Sequence, residues 1–253
     1  MSKIENRNTE TSNQESSWFA SWFDTPYYHI LYQNRNDEEA HQFMDNLTEY
    51  LNMPENGTIL DLACGKGRHA VYLNQLGYDV LGVDLSENSI DFAKKSENDK
   101  LHFEVHDMRQ PIGKQFDAVF NLFTSFGYFE SDEDNYKTIC AIKESINEYG
   151  FGVIDFMNVP YVLEHLVAHE TKTLDGIDFK IHRYEKDSYI CKDISFDADG
   201  KSHHYTEKVR ALQLEDFVQM IENSGMFLLD IFGDYKLHKY YRNQSERLIL
   251  IFK

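Results

Sequence analysis

The chain has 253 residues, which is enough for one α/β domain with an insertion but short for two independent domains. Its formal net charge of −18 argues against a nucleic-acid substrate, because binding to a phosphate backbone requires a positively charged surface. The three cysteines are not closely paired, and no stretch is apolar over the roughly 18 residues that a membrane helix needs. We therefore expect a cytoplasmic protein that acts at no membrane, and the sequence leaves its oligomeric state open.

The N-terminal part of the chain changes character at residue 18. Residues 1–17 are almost wholly polar, so we expect a disordered tail. Aromatic residues are frequent from Trp18 onward, and Trp18 and Trp22 have the i, i+4 spacing of a short helix with an aromatic face. Apolar residues at helical spacing over 40–51 predict a second helix that leads into the first strand.

The stretch from 58 to 86 predicts a strand–helix–strand unit. The apolar run 58–62 stops at Cys64-Gly65-Lys66-Gly67, and apolar residues at helical spacing follow before a second apolar run ends on Asp84. In such a unit the ligand crevice lies at the carboxyl ends of the strands. Glycines allow close approach of the backbone to a ligand, and a carboxylate at position 84 can accept both hydroxyls of a ribose. The site is therefore expected to bind a nucleoside.

Two classes of nucleoside cofactor fit this description. Gly65-x-Gly67-x-x-Ala70 matches the dinucleotide fingerprint in its alanine-ended form, although a single match of this kind is weak. Asp61 stands at the end of the first strand, where its carboxylate would repel a pyrophosphate. S-adenosylmethionine has an ammonium and a sulfonium in place of phosphate. Asp61 therefore favours the methyl donor over a nicotinamide dinucleotide.

The pattern Asp61-x-Ala63-x-Gly65-x-Gly67, followed 17 positions later by Asp84, resembles the class I S-adenosylmethionine-dependent methyltransferases of the small-molecule type. That family usually has Gly where this chain has Ala63. The resemblance implies an α/β fold with a seven-stranded, mostly parallel, Rossmann-like sheet and helices on both faces. It also implies S-adenosyl-L-methionine as cofactor, with the two glycines and Asp61 at its methionyl portion and Asp84 on its ribose. Neighbouring residues complete this cofactor site, namely Cys64, Arg68 and Leu85.

Two further strand ends supply candidate site residues. After a strand predicted over 101–105, the resemblance places Asp107 at the adenine amino group and Met108 over the adenine ring. A fourth strand, predicted over 116–123, continues into a loop at the same edge of the sheet. From this strand and loop we expect cofactor contacts by Asn121 and Leu122 and substrate contacts by Phe126 and Tyr128.

In the resembling enzymes an N-terminal segment folds over the cofactor, and residues 18–50 have the composition of such a lid. We expect Tyr28 and Arg35 to contact the cofactor and His29 to face the substrate. The loop after the fourth strand lacks the motifs of enzymes that methylate nucleic-acid bases, so a small-molecule acceptor with a nitrogen or oxygen nucleophile is preferred. A general base is required only when that nucleophile must lose a proton, and the candidate catalytic residues are His29, Tyr28 and Tyr128.

The second half of the chain departs from strict strand–helix alternation. Ser131 resembles a helix N-cap, and the helix is expected to end at Gly150. A fifth strand over 151–156 then brings Asn158 to the active edge as a substrate contact. Residues 161–210 predict an antiparallel β insert of three or four strands. The resemblance implies that this insert caps the substrate pocket, whereas 18–160 and 211–253 form the methyltransferase core.

Three alternatives remain open at this level. His165-x-x-x-His169 would place two metal ligands on one helical face, but no further ligands follow at a recognisable spacing, so we expect no metal. The fold is also compatible with a non-catalytic nucleoside-binding or interaction module. The third alternative is an NAD(P)-dependent oxidoreductase, which Asp61 disfavours.

Overall fold

The computed structural model describes residues 22–33 and 37–253. Trp18 and Arg35 lie outside the described residues, as do residues 1–17. The first described helix, α1, spans Pro26–Leu31, and α2 spans Asp37–Tyr50. In this part of the chain no helix is long and apolar enough to cross a membrane.

The core alternates strands and helices. Its elements are β1 (Thr58–Leu62), α3 (Arg68–Gln75), β2 (Asp79–Asp84), α4 (Glu87–Ala93), β3 (Leu101–Val105), β4 (Phe116–Asn121), α5 (Asp132–Ser145), β5 (Ile146–Met157), α6 (Val159–Glu164), α7 (Leu214–Asn223), β10 (Leu228–Phe232) and β11 (Arg247–Phe252). They form a seven-stranded sheet of order β10-β11-β5-β4-β1-β2-β3. The pairs among β1 to β5 are parallel, and β11 and β10 are antiparallel to their neighbours. The predicted fold class is confirmed.

Between α6 and α7 the chain forms a separate four-stranded antiparallel sheet. Its strands are β6 (His169–Leu174), β7 (Ile177–Lys186), β8 (Tyr189–Ala198) and β9 (Lys201–Arg210), and they pair in sequence order. Residues at the turns adopt left-handed backbone angles, as tight hairpins require, for example Asp175 and Gly176. The predicted antiparallel insert is therefore confirmed.

The predicted end of the fifth helix at Gly150 is wrong. Helix α5 begins at the predicted N-cap, because the Ser131 hydroxyl accepts a hydrogen bond from the Asp134 backbone N–H, but it ends at Ser145. Gly150 lies inside β5, where an added β-carbon would come within 2.7 Å of the Phe116 carbonyl oxygen. Gly150 therefore allows two strands to lie close together, and it does not end a helix.

Apolar side chains fill both faces of the large sheet. One face is covered by α5 and α7 and includes Phe156 and Phe217, and the other is covered by α2, α3 and α4 and includes Phe43 and Phe103. These rings are almost fully buried, and each such burial contributes about 1.5–3 kcal/mol to folding. A third, smaller cluster packs Trp22 and α1 against the insert. The N-terminal segment is therefore attached to the four-stranded sheet.

A buried ion pair fixes the loop that follows β4. The Arg247 guanidinium donates to Asp155 at 2.8 Å and to the Thr124 hydroxyl at 2.9 Å, and the Asp155 carboxylate also accepts from the Phe123 N–H at 2.8 Å. Phe123 and Thr124 both have left-handed backbone angles, and both line the cavity described below. The ion pair therefore holds this strained turn in place.

Replacing Arg247 by Met is expected to lower the free energy of unfolding by about 3–5 kcal/mol, because Asp155 is then a buried charge without its partner. Arg242→Met is the matched control. Arg242 and its partner Glu215 are roughly half exposed or more, and loss of such a pair changes stability by about 1 kcal/mol or less. Urea denaturation of both variants is the measurement, and equal effects would contradict this assignment.

Candidate active site

A cavity of about 590 Å³ lies at the carboxyl ends of β1, β2, β3 and β4. The loops after these strands form one half of it, with side chains and backbone from Asp61, Ala63, Cys64, Gly65, Lys66, Arg68, Asp84, Leu85, Asp107, Met108 and Leu122. The N-terminal segment, the β4–α5 loop and β9 form the other half, with Phe23, Tyr28, His29, Tyr32, Tyr128, Phe129 and Glu207. The cavity has the position expected for a ligand crevice in a parallel α/β sheet.

The turn between β1 and α3 is built from left-handed backbone. Ala63, Gly65 and Gly67 have φ angles of 62°, 56° and 80°, and the Gly67 N–H donates to the Cys64 carbonyl at 3.0 Å. A left-handed conformation costs an L-residue roughly 1–2 kcal/mol, so Ala63 adopts at some cost a geometry that glycine adopts freely. This explains why glycine is usual at that position in the resembling family.

Asp84 closes the turn from the neighbouring strand. One carboxylate oxygen accepts from the Gly65 N–H at 2.8 Å, and the other accepts from the Ser86 N–H at 2.9 Å. Burial raises the pKa of Asp84, and these backbone hydrogen bonds oppose that shift. Each carboxylate oxygen has a further lone pair, so Asp84 retains the capacity to accept two hydroxyl groups.

Asp61 lines the cavity with a carboxylate whose pKa is raised. Its side chain is buried, and Oδ2 has no hydrogen-bond partner among the described residues. Burial and the nearby charge of Asp84 raise the pKa of Asp61 to about 7. A buried carboxylate oxygen without a donor is costly, and a cationic ligand would relieve the cost, whereas a pyrophosphate would increase it. The Asp61 carboxylate therefore fits the ammonium of S-adenosylmethionine better than the pyrophosphate of a dinucleotide.

A short ion-pair network lies at the end of β3. Arg109 forms ion pairs with Asp107 and with Asp134, the latter at 3.0 Å, and its guanidinium lies 4.8 Å from the centre of the Phe129 ring. Burial acts to raise the pKa of Asp107, but hydrogen bonds from Arg109 hold it below the ordinary value. The Asp107 carboxylate is therefore ionised and fixed, as an acceptor for an adenine amino group should be. Sequence reasoning missed Arg109, whose only signal was its position two residues after Asp107.

Four predicted contacts do not line the cavity, and these predictions are corrected. An added β-carbon on Gly67 would meet the Phe103 ring at 2.6 Å, so this glycine faces the core. Asn121 is fully buried and donates to the Leu62 carbonyl at 3.1 Å. Phe126 is also fully buried, with its ring centre 5.4 Å from that of Phe217.

The fourth corrected residue is Asn158, which is 1% exposed. Its amide donates to the carbonyls of Arg242 and Ser245 at 2.7 and 2.6 Å and accepts from the Tyr240 hydroxyl at 3.0 Å. Asn158 thus anchors the loop between β10 and β11 instead of contacting a substrate. Hydrogen bonding of this kind with a distant loop has no signal in the local sequence.

The two-histidine alternative is also wrong. His165 is the C-cap of α6, whereas His169 is the first residue of β6, so the two do not share a helical face. No group of three or more metal-ligating side chains converges in the part of the chain that the structure describes.

The remaining predicted residues line the cavity together, apart from Arg35, which is not described. On the acceptor side Tyr28, His29 and Tyr128 are joined by two residues that sequence reasoning missed, Tyr32 and Glu207. Glu207 stands on β9, about 180 residues from the N-terminal segment that it contacts. Only the folded insert brings these side chains together.

Comparison with known proteins adds independent findings. Residues 59–150 match a family model described as a methyltransferase domain. The chain is 25% identical over 213 residues to a Bacillus subtilis protein named as methyltransferase YqeM, covering 78% of this chain and 85% of that one. It is 29% identical over 132 residues to the Streptomyces venezuelae enzyme dTDP-3-amino-3,4,6-trideoxy-alpha-D-glucopyranose N,N-dimethyltransferase, covering 51% of this chain and 54% of the other.

A solved structure shows the same fold. It is the crystal structure of an S-adenosylmethionine-dependent methyltransferase from Clostridium acetobutylicum, with a TM-score of 0.76 and 21% identity over 90% of this chain and 95% of that one. The matched domain contains Asp61, Gly65, Asp84 and Asp107, which the fold gathers around one cavity. These similarities support the interpretation of the chain as a class I S-adenosylmethionine-dependent methyltransferase, an enzyme with S-adenosyl-L-methionine as its cofactor.

Proposed function

We propose that this enzyme transfers a methyl group from S-adenosylmethionine to the nitrogen or oxygen of a small-molecule acceptor. The observation that carries the proposal is that the unpartnered Asp61 oxygen and a set of aromatic side chains belong to the same cavity. A cationic cofactor would pair with the Asp61 oxygen, and a compact acceptor would pack against the aromatic side chains. The net charge of −18 supports a small molecule over a nucleic acid.

Each proposed cofactor contact has a defined chemical task. Asp61 holds the methionyl ammonium, and Asp84 accepts hydrogen bonds from the ribose hydroxyls. Asp107, fixed by Arg109, accepts a hydrogen bond from the adenine amino group, while Leu85 and Met108 cover the ring. Further contacts come from the lining residues Ala63, Cys64, Gly65, Arg68, Leu122 and Tyr28.

The cofactor, when bound, supplies a methyl group on a sulfonium with a good neutral leaving group. The protein's contribution is then alignment of the acceptor and exclusion of water, so a fixed catalytic triad is not needed. Tyr28 and His29 come from the N-terminal segment and Tyr128 from the β4–α5 loop, and all three line the cavity. They orient the acceptor, and His29 is a suitable proton acceptor when the nucleophile must lose a proton.

The insert contributes to the same wall. Glu207 of β9 lines the cavity, and Trp22 of the N-terminal segment packs on Tyr205 with a ring distance of 4.3 Å. We assign residues 161–210 the role of a substrate cap and residues 18–50 the role of a lid over the cofactor. The three free cysteines are in keeping with the expected cytoplasmic location.

The test is methyl transfer from isotopically labelled S-adenosylmethionine to a panel of small amines, hydroxy compounds and sugars. Asp84→Asn is the control, because it keeps the size of the side chain but removes its charge and one of the two oxygens that accept hydrogen bonds. We expect turnover with at least one acceptor class and a loss of about tenfold or more in cofactor affinity in Asp84→Asn. Cofactor binding without turnover on any acceptor would instead favour the non-catalytic module.

A further inference from the structure

We propose that the acceptor is an amine, held by an aromatic cage of Phe23, Tyr28, Tyr32 and Tyr128 with the Glu207 carboxylate at its edge. This inference rests on the proposed methyl transfer and names the acceptor class of that site. It concerns the part of the cavity wall formed by the N-terminal segment, the β4–α5 loop and β9.

The four rings lie next to one another on the cavity wall. The centre of the Tyr28 ring is 4.8 Å from those of Phe23 and Tyr32, and the Phe23 and Tyr128 rings meet edge to face at 5.5 Å. All four side chains line the cavity. Aromatic faces attract cations, and cages of several rings are the usual protein sites for methylated ammonium groups.

Glu207 gives this wall a negative charge. Its carboxylate accepts from the Trp22 indole N–H at 2.7 Å and from the Tyr32 hydroxyl at 2.8 Å, and it lies 3.4 Å from the Lys192 ammonium. The side chain is only 14% exposed but still lines the cavity. The Lys192 ammonium contacts the Tyr32 hydroxyl and lies 4.5 Å from the centre of the Tyr32 ring, but Lys192 is not one of the lining residues. Lys192 offsets part of the charge of Glu207 without reaching the acceptor.

The charge movement during methyl transfer distinguishes nitrogen from oxygen acceptors. A neutral amine uses its lone pair to form the N–C bond as the S–C bond breaks, and sulfur keeps the bonding electron pair. The positive charge therefore passes from sulfur to nitrogen, and a proton on the methylated nitrogen then leaves to water. Aromatic faces and a carboxylate stabilise the positive charge that develops at nitrogen. They disfavour the negative charge that develops on oxygen when a hydroxyl acceptor loses its proton.

The binding test uses choline and its uncharged isostere 3,3-dimethyl-1-butanol, titrated into protein saturated with S-adenosylhomocysteine. The two probes have nearly the same shape, so their affinity ratio reports recognition of the cationic nitrogen. We expect choline to bind about tenfold more tightly than the isostere. Equal affinity for the two probes, or binding of the isostere alone, would overturn the proposal.

Three variants separate charge recognition from a merely structural role. Glu207→Gln keeps an oxygen for Trp22 and Tyr32 and should reduce the choline preference about threefold, because the aromatic rings remain, whereas Lys192→Met should increase it, because the cation that offsets Glu207 is lost. Glu185→Gln removes the same charge at an exposed position of the same sheet and should leave the ratio unchanged. A Lys192→Met protein with a weaker choline preference would contradict the assignment.

A methyl-transfer comparison completes the test. Primary and secondary amines should be methylated in preference to alcohols and phenols of the same skeleton. Turnover confined to hydroxyl acceptors would overturn the cage proposal but leave the proposed methyl transfer intact. Failure of S-adenosylhomocysteine to bind would instead count against the proposed function itself.

Discussion

Asp61→Asn is expected to weaken S-adenosylhomocysteine binding about 100-fold, and at the same time to stabilise the free protein at alkaline pH. The wild-type carboxylate is buried with an unpartnered oxygen, so ionising it in the free protein is costly. The Asp61 carboxylate is also the group that pairs with the methionyl ammonium, and a charged hydrogen bond of this kind contributes about 1.5–3 kcal/mol to binding. Binding and stability should therefore change in opposite directions.

The pH dependence follows from the raised pKa. Asp61 has a pKa of about 7 in the folded protein, against an ordinary value of 3.8, so the folded state binds the extra proton between these values. Its contribution to stability is fully present below pH 3.8 and is lost as the pH rises through 7. At pH 8 the Asn variant should accordingly be more stable than wild type by about 1–3 kcal/mol, and at pH 5 the difference should shrink.

Cofactor affinity should show the matching trend. Below pH 7 the protonated Asp61 must release its proton before it can pair with an ammonium, so the dissociation constant of the wild type should rise as the pH falls. Calorimetry between pH 5.5 and 8.5 measures this slope, and urea denaturation measures the stability of both proteins. A pH-independent affinity, or an Asn variant that binds as tightly as wild type, would contradict the role assigned to Asp61.

Gly67→Ala is expected to lower the free energy of unfolding by about 2–4 kcal/mol. The new β-carbon would lie 2.6 Å from the Phe103 ring and 3.1 Å from the Ala93 β-carbon, and the residue has a φ angle of 80°. Gly65→Ala is the matched control in the same turn. There the added carbon meets no atom within 4 Å, so only the φ angle of 56° opposes it, at a cost of about 1–2 kcal/mol.

The two glycine variants should also differ in binding. Gly65 lines the cavity and Gly67 does not. Gly65→Ala should therefore weaken the binding of S-adenosylhomocysteine more than its small effect on stability suggests. Thermal unfolding and calorimetric titration of both variants give the comparison. If Gly65→Ala proved the more destabilising of the pair, the packing assigned to Gly67 would be incorrect.

The cofactor half of the site could be predicted because its signals are local in sequence. Asp61 is the next-to-last residue of β1 and Asp84 is the last of the adjacent parallel strand β2, so the periodicity that predicts the strands also places both carboxylates at one edge of the sheet. Asp107 was predicted in the same way, from its position just after β3. The N-cap at Ser131 and the hairpins of the insert were likewise predictable from short turn and capping motifs.

The acceptor half depends on contacts across long stretches of chain. Glu207 reaches Trp22 and Tyr32 only because β9 packs beside the N-terminal segment, and no periodicity reports such a contact. Phe126 failed as a prediction for a similar reason, since its ring turns into the core against α7. The prediction of a helix end at Gly150 was wrong because a glycine after a helical pattern looks the same in sequence in two cases. It can end the helix, or it can allow a neighbouring strand to approach closely.

The most direct measurement is calorimetric titration of the wild-type protein with S-adenosylhomocysteine, NAD and NADP at pH 8. We predict binding of S-adenosylhomocysteine alone, with one site per chain, and a marked loss of this binding in Asp61→Asn. Binding of a nicotinamide dinucleotide in place of S-adenosylhomocysteine would contradict the assignment of the cavity.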